Sequence, residues 1–468
     1  MPVRPGYQTA ILTFAGGWAT DFGPSFFAAP QNGLLAMPFL LSADNLLYEL
    51  DGGPHKIGGS TRLNSTQVTE AAVAKTFHGI FDFWTQGTGG TETQKRVAYV
   101  GTRLMKEDVD GTWDELNTGL EDNKEPAFTV FNDDLIWSSD STVDVPKTWN
   151  GSESAMPDLG GSPPNFSFAV PHKNRMWAAG VASNPSRLYY ANTLLHEDWS
   201  GGGSIDIDPS DGDRIVGLRS HKNELLVFKG PNKGSIHRIT GSSPSGSDAF
   251  ARVPFVTGVP AVNHNSIFTI GDDVVFAGSR GIHSLAATAA YGDYVEAFLS
   301  RPILTYYQDS LNHNVLFTSW GVNFFTAGVA LWTFAKSGGT AKNVILGYDY
   351  RFQPGRWFSL GRNSAYVNAH SLAILQVNKV HRLFAGLTTG YVQRLHVPDR
   401  SLPESGAYAV DVKTPFLNFG SSAYLKTAEA GFHSLLPKGT YYLSFGWTRD
   451  TNAEDTVSLL QGGGDVLG

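Results

Sequence analysis

The sequence has no cysteine in 468 residues, which removes disulfides, thiolate catalysis and cysteine–zinc sites together. That fits assembly in a reducing cytosol, and it is equally compatible with a surface protein that needs no covalent staples. Basic clusters are also lacking. Lys and Arg number 35 against 43 Asp and Glu, for a net charge of −8. The densest local basicity, Lys95-Arg96 with Arg103 and Lys106, is diluted by Glu92, Glu107 and Asp108. Gripping a nucleic acid needs a clustered Lys/Arg face, so sequence-specific or tight DNA binding is not expected. No stretch approaches the ~18 uninterrupted apolar residues of a membrane helix. The most apolar segment, Gly33 to Ala43, carries Pro38. No secretion leader is read at the N-terminus, where Pro2 and Pro5 flank Arg4. HxH, HExxH and GxSxG patterns are missing, as is a GxGxxG loop opening a helix.

What remains is a chain with 41% apolar and 17% charged residues, 52 glycines and 12% aromatics. That composition suits a folded protein of many short strands joined by tight turns. Long amphipathic helices are scarce. The best helical stretch, Ser65 to Phe77, mixes alanines with β-branched residues that suit a strand equally well.

Five times a polar pair is followed by a short apolar run ending near a small residue. The pairs are Asp133-Asp134, Lys173-Asn174, Lys222-Asn223, Asp272-Asp273 and Asn378-Lys379. From Asp134 to Asn174 is 40 residues, from Asn174 to Asn223 is 49, and from Asn223 to Asp273 is 50. One four-stranded propeller blade takes roughly 40 to 50 residues. The expected fold is therefore all-β, a β-propeller of six to eight blades with a small C-terminal β element. The expected boundaries are an extended segment over 1–32, the propeller over 33–404, and C-terminal strands over 405–468 that close the ring or form a separate small sheet. Within these, Leu46–Leu50 should turn at Asp51-Gly52-Gly53, and the strand Val97–Met105 should turn at Asp110-Gly111. The alternation of Tyr441, Leu443, Phe445 and Trp447 marks a late strand.

Few residues suggest chemistry. Ser138-Ser139-Asp140 with Trp149 resembles a sialidase aspartate box, but the glycine is missing and the tryptophan is displaced, so a structural turn is the simpler reading. The acidic loop Asp206, Asp208, Ser210, Asp211, Asp213 offers oxygens at alternate positions as calcium requires. It lacks the EF-hand glycine and the bidentate glutamate, so a turn between strands is preferred. His172, His221 and His313 sit beside polar turns and read as solvent-facing. Trp137, Trp177, Tyr189, Tyr190, Trp199 and Trp320 could stack sugars, but on a blade such rings more often fill the space between sheets. No catalytic, cofactor-binding or metal residue is assigned, no cofactor is called for, and the chain is expected not to be an enzyme.

The segment Asp158 to Leu218 and the strand after it run DLGGSPPNFSFAVPHKNRMWAAG, NPSRLYYAN, HEDW, GGGSIDIDPSDGDRIVGL and SHKNELLVFKG. This order resembles β-propeller tail proteins of bacteriophages. Gly16–Ser25 (GGWATDFGPS) and Gly52–Asn64 (GGPHKIGGSTRLN) are similar to the N-terminal signature of the same group. The chain length resembles the nozzle, or packaged-DNA-stabilisation, proteins of short-tailed phages. The resemblance implies a virion tail protein assembled in the host cytoplasm, forming a homo-oligomeric ring, a hexamer by likeness. The ring would lie below the portal and its adaptor and beside spike, fibre or needle proteins. It would extend the DNA exit channel and retain the genome until ejection, with DNA passing without specific binding and with no membrane span. Loops Gly241–Gly246 and Gly87–Thr91 are the expected plugs or neighbour contacts. The alternative is a baseplate or tail-tip propeller that binds host-surface carbohydrate. A kelch or WD scaffold is disfavoured, because the GH…WD signature and the repeated double glycine are missing.

Overall fold

The computed structural model describes residues 11–13, 17–21, 34–36, 39–48, 50, 53–86, 90–107, 111–291, 298–363, 366–397, 408–413, 441–449 and 453–461. Each of the five polar pairs marks a two-residue hairpin. At Lys173-Asn174, Lys222-Asn223 and Asn378-Lys379 both turn residues have positive φ, between 44° and 64°. That is the type I′ geometry, whose twist matches the flanking strands and which polar residues tolerate best. The first and fourth pairs lie one residue earlier than the sequence pattern places them. Phe131 faces Asp134, so Asn132-Asp133 is the turn, and Ile270 faces Asp273, so Gly271-Asp272 is the turn. The positive φ values at Asn132, Asp133 and Gly271 explain the shift.

Each hairpin joins the first two strands of a blade, and the chain forms seven blades around one axis. Blade 1 is Phe77–Gln86, Glu92–Val100, Arg103–Glu107 and Trp113–Asn117. Blade 2 is Pro126–Phe131, Asp134–Ser139 and Lys147–Trp149. Blade 3 is Phe168–His172, Arg175–Ala179, Arg187–Tyr190 and Gly203–Asp206. Blade 4 is Arg214–His221, Glu224–Gly230, Ser235–Thr240 and Ala251–Thr257. Blade 5 is Phe268–Ile270, Asp273–Ala277 and Ile282–Ser284. Blade 6 begins with Trp320–Phe324, Val329–Ala335, Lys342–Asp349 and Arg356–Leu360. Blade 7 is Ala369–Val377, Val380–Leu387 and Val392–Val397 with an outer strand, Gly59–Arg62, from near the N-terminus.

That outer strand closes the ring. Gly59–Arg62 pairs antiparallel with Val392–Val397, and the buried Asn64 accepts the Val392 N–H at 2.8 Å while donating to the Gly390 carbonyl at 3.1 Å. Gly58 has no room for a side chain, since a Cβ there would lie 2.4 Å from the Val397 carbonyl oxygen. Gly58→Val is expected to prise the outer strand off blade 7 and cost about 1–3 kcal/mol, read as a lowered midpoint in thermal melts.

Two further segments, one from before blade 1 and one from after blade 7, also extend blade 6. Ser42–Asp44 lies beside Arg356–Leu360, and Asp411–Lys413 pairs antiparallel with Ser42–Asp44. The fully buried Asp44 fastens this seam, accepting from the Ser359 hydroxyl at 2.8 Å and from the Arg362 and Asn363 N–H groups at 3.0 and 2.7 Å. Part of the stretch placed after residue 404 is thus the sixth strand of a blade. Tyr441–Arg449 and Ala453–Gln461 pair as an antiparallel hairpin.

The helical reading of Ser65 to Phe77 fails. Thr69–Glu70 and Val73–Ala74 form a small hairpin, turned by Ala71 and Ala72 at φ 48° and 63°. Val97–Met105 is broken at Gly101-Thr102, where Val100 faces Arg103. Asp110, Asp51 and Gly52 lie outside the described residues, as do Gly87 to Gly89 and most of 1–32.

The blades are held apart and together by rings. Phe81 stacks on Phe128 at 5.7 Å between blades 1 and 2, Phe228 meets Phe276 at 5.2 Å between blades 4 and 5, and Phe268 meets Trp332 at 4.9 Å between blades 5 and 6. Trp137 and Trp177 are wholly buried, and Tyr190, Trp199 and Trp320 nearly so, as the core reading of these aromatics expects. Among the described residues no helix is long and apolar enough to cross a membrane.

Candidate functional site

Two places gather charged groups inside the ring. The first is assembled from the motifs that carry the resemblance. Lys229, at the end of the second strand of blade 4, is fully buried, and its ammonium occupies the centre of the acidic loop. It donates to Asp211 Oδ2 at 2.7 Å, to the Ile207 and Asp208 carbonyls at 2.8 and 2.9 Å, and to Ser186 Oγ at 3.2 Å. The loop's other carboxylates are equally engaged. Asp206 forms a two-pronged pair with Arg187 at 2.7 and 3.1 Å. Asp208 pairs with Arg252, and Asp213 accepts the N–H groups of Asn232, Lys233 and Gly234 at 2.7–2.9 Å. Ser186 donates in turn to the Asp213 carbonyl at 3.0 Å. The arrangement that resembled a calcium loop is a cage filled by the chain's own cation. Burial works to raise the Asp211 carboxyl, but hydrogen bonds from Lys229 and the Asp213 N–H hold it below the usual range.

The second place lies at one mouth of the ring. In an up-and-down blade the hairpin after the inner strand lies at one end, so the starts of all inner strands gather at the other. Seven of these starts bring together His78, Glu125-Pro126, Phe168, Arg214, His264, Trp320 and His370. The mouth is filled rather than open. A Cβ on Gly79 of blade 1 would sit 2.7 Å from Pro126 of blade 2 and 3.1 Å from Trp320 of blade 6. Asn265, ahead of blade 5, donates to the Pro126 carbonyl at 3.0 Å across the axis.

Glu125 is the centre of this plug. Its carboxylate accepts the Trp320 indole N–H at 2.9 Å and faces the Lys342 ammonium at 3.4 Å and His370 Nε2 at 3.8 Å. From there a line of groups runs outward: His370 Nε2 to His78 Nδ1 at 3.4 Å, His78 Nε2 to Asp122 at 3.0 Å, Lys75 to Asp122 at 3.2 Å and Lys75 to Glu70 at 3.0 Å. Burial pushes the Glu125 carboxyl up and the Lys342 ammonium down, opposing shifts of one buried pair. Burial also pushes His78 and His370 down, His370 well below the ordinary range. The line ties blades 6, 2, 7 and 1 across the closure of the ring. Both Glu125 oxygens are taken by protein groups.

The remaining sequence candidates resolve as supports. Ser138 donates to the Ser167 carbonyl at 2.9 Å, Asp140 Oδ1 accepts the Glu125 N–H at 2.8 Å, and Trp149 packs in the blade 2 core with its indole N–H on the Glu153 carbonyl at 3.0 Å. The solvent-facing reading of the histidines is wrong for His172. It is 6% exposed at the end of an inner strand, bonded to Ser220 Oγ at 2.9 Å, and burial pushes it down to about 4. His313 belongs to a short helical turn and reaches the Tyr307 carbonyl at 3.1 Å, while His221 is half-buried. Among the described residues no group of three His, Asp or Glu could hold a metal ion.

Several of these histidines make acid stability testable. Burial holds His264 and His283 down at about 3, against an ordinary value near 6.5. The unfolded chain therefore takes up protons first, and stability falls as pH drops below about 6.5. Each such histidine contributes about 1.4 kcal/mol of loss per pH unit until its folded value is reached. Urea midpoints measured from pH 7 to pH 4 are expected to fall steadily across that window. His264→Gln or His283→Gln should flatten the slope.

No family model matches the sequence, and no curated protein matches it. Among solved structures the chain is similar to one described as YCF48 bound to D1 peptide, at 13% identity over 76% of this chain and 98% of that one, with a TM-score of 0.40. So loose a likeness carries no argument about function. The fold rests on the seven sheets themselves.

Proposed function

We propose that this chain is a structural subunit of a bacteriophage tail, a nozzle-like ring component that extends the DNA exit path below the portal–adaptor and retains the packaged genome until ejection. One observation supports the mechanical reading above others. The segments that resemble tail propellers fold onto the fully buried Lys229, whose hydrogen bonds fasten blade 3 to blade 4. A propeller made rigid in this way is a wedge, and identical wedges in a ring enclose a lumen. The wedge's own axis is plugged by Pro126 and Trp320, so DNA would run between copies rather than through one. A net charge of −8 suits a lumen along which a polyanion slides. The loop Gly241–Gly246, already braced by Lys173 donating to the Gly241 carbonyl at 2.8 Å, projects as a neighbour contact.

The test is to express the chain with portal and adaptor proteins, isolate the assembly and image it. A ring of copies on the tail axis is the expected result. A protein that stays monomeric and never joins portal–adaptor complexes refutes the nozzle assignment and leaves the propeller intact.

A further inference from the structure

Beside the plugged axis, a cavity of about 330 Å³ opens among blades 2 to 5. That is within the size range of small-ligand pockets. Its walls are of two kinds. Pro126, Phe168 and Phe317 supply apolar surface, with Phe317 47% exposed at the rim. Arg214 and Asp140 both line it, from blades 4 and 2. Arg214 is exposed, and its charge acts on the Asp140 carboxylate, with which it forms no salt bridge. Asp140 uses Oδ1 to hold the Glu125 N–H, which leaves Oδ2 as an acceptor.

His264 adds a donor of fixed direction. Its ring stacks on Phe168 at 4.7 Å, and Nδ1 accepts the Leu218 N–H at 3.3 Å. A nitrogen that accepts carries no proton, so the neutral ring, which lines the cavity, bears its hydrogen on Nε2. Burial keeps the ring neutral, with its value down at about 3.

We propose that this cavity binds a carboxylate-bearing sugar, with the carboxylate on Arg214 and His264 Nε2–H, a hydroxyl on Asp140, and the ring's apolar face against Pro126 and Phe317. A planar guanidinium is the side chain best matched to a carboxylate. A bare anion would be repelled by Asp140 and would leave the apolar wall wet, whereas a sugar acid carries hydroxyl donors for Asp140 and C–H faces for the rings. The site belongs to the fold of one chain and stands or falls independently of the tail-nozzle reading.

The experiment uses the full chain, titrated by calorimetry and by ligand-observed NMR with a glucuronate-containing disaccharide, its neutral glucose counterpart, sodium acetate and an acidic hexapeptide. The expected result is binding of the glucuronate disaccharide at least about ten-fold tighter than the other three. Arg214→Ala is expected to weaken that binding by about ten-fold or more, the usual loss of a charged hydrogen bond. Its melting temperature and any ring assembly should be unchanged, because the Arg214 side chain is exposed. No glucuronate binding, equal binding by Arg214→Ala, or equal binding of acetate or the peptide would each overturn the proposal.

Discussion

Lys229→Ala is expected to lower the stability of the fold by about 2–3 kcal/mol, since the ammonium is fully buried while its Asp211 partner is partly reached by water. The lost methylenes are the smaller part. Without the ammonium, the Asp211 carboxylate and the Ile207 and Asp208 carbonyls lose the donor that satisfies them at 2.7–2.9 Å. The buried Ile207 carbonyl is costly to leave unpaired, whereas the partly exposed Asp211 carboxylate regains part of its loss from water. The double variant Lys229→Met with Asp211→Asn removes both charges and is expected to recover a good part of the loss. Urea unfolding of the three proteins measures it. A loss below about 1 kcal/mol for Lys229→Ala would mean that the ammonium does not anchor the loop. Millimolar calcium should leave the melting temperature of the unaltered chain in place, because the position it would take is held.

That cage shows where sequence reading stops. The spacing of the polar pairs gave the blade period because a type I′ turn constrains its own two residues, and the signal is local. The acidic loop's partner is 18 residues further on, on a strand whose lysine reads as an ordinary end of ELLVFKG. Nothing near Lys229 marks it as buried. The same holds at the mouth. Glu125, His78, Lys342 and His370 come from four different blades, and only the closure of the ring puts them together. A topological hint did exist. His78 and His370 are each the second residue of an inner strand, the end opposite the polar turns. The histidines beside the turns were the conspicuous ones, and His172 shows that adjacency to a turn does not mean exposure when the strand lines the axis. Ring closure was hidden for another reason. A three-stranded blade 7 is completed by a strand more than 300 residues earlier, and Gly59–Arg62 alone has too little apolar pattern to be assigned a place.

Glu125→Ala should be more severe, about 3–5 kcal/mol, because here both partners are buried, and it separates two views of the plug. If the plug is only apolar packing of Pro126 and Trp320, removing the carboxylate costs little beyond a small cavity. If the charges hold the mouth, Lys342, with its side chain 3% exposed, is left facing His370 with no anion, and the Trp320 N–H loses its acceptor. The effect should then spread along the line to the blade 7–blade 1 junction, where His370 meets His78 at 3.4 Å. Amide exchange is the discriminating measurement, since local opening shows as lost protection in the strands concerned. Faster exchange in Phe77–Gln86 and Ala369–Val377, with Arg187–Tyr190 unaffected, is the expected pattern. Pairing Glu125→Ala with Lys342→Met removes the stranded charge as well and should restore part of both stability and protection. Equal losses in the single and double variants would assign the plug to packing alone. A partial rescue would identify the buried pair as the clasp that joins blades 2 and 6 across the mouth and supports the His370–His78 contact between blades 7 and 1.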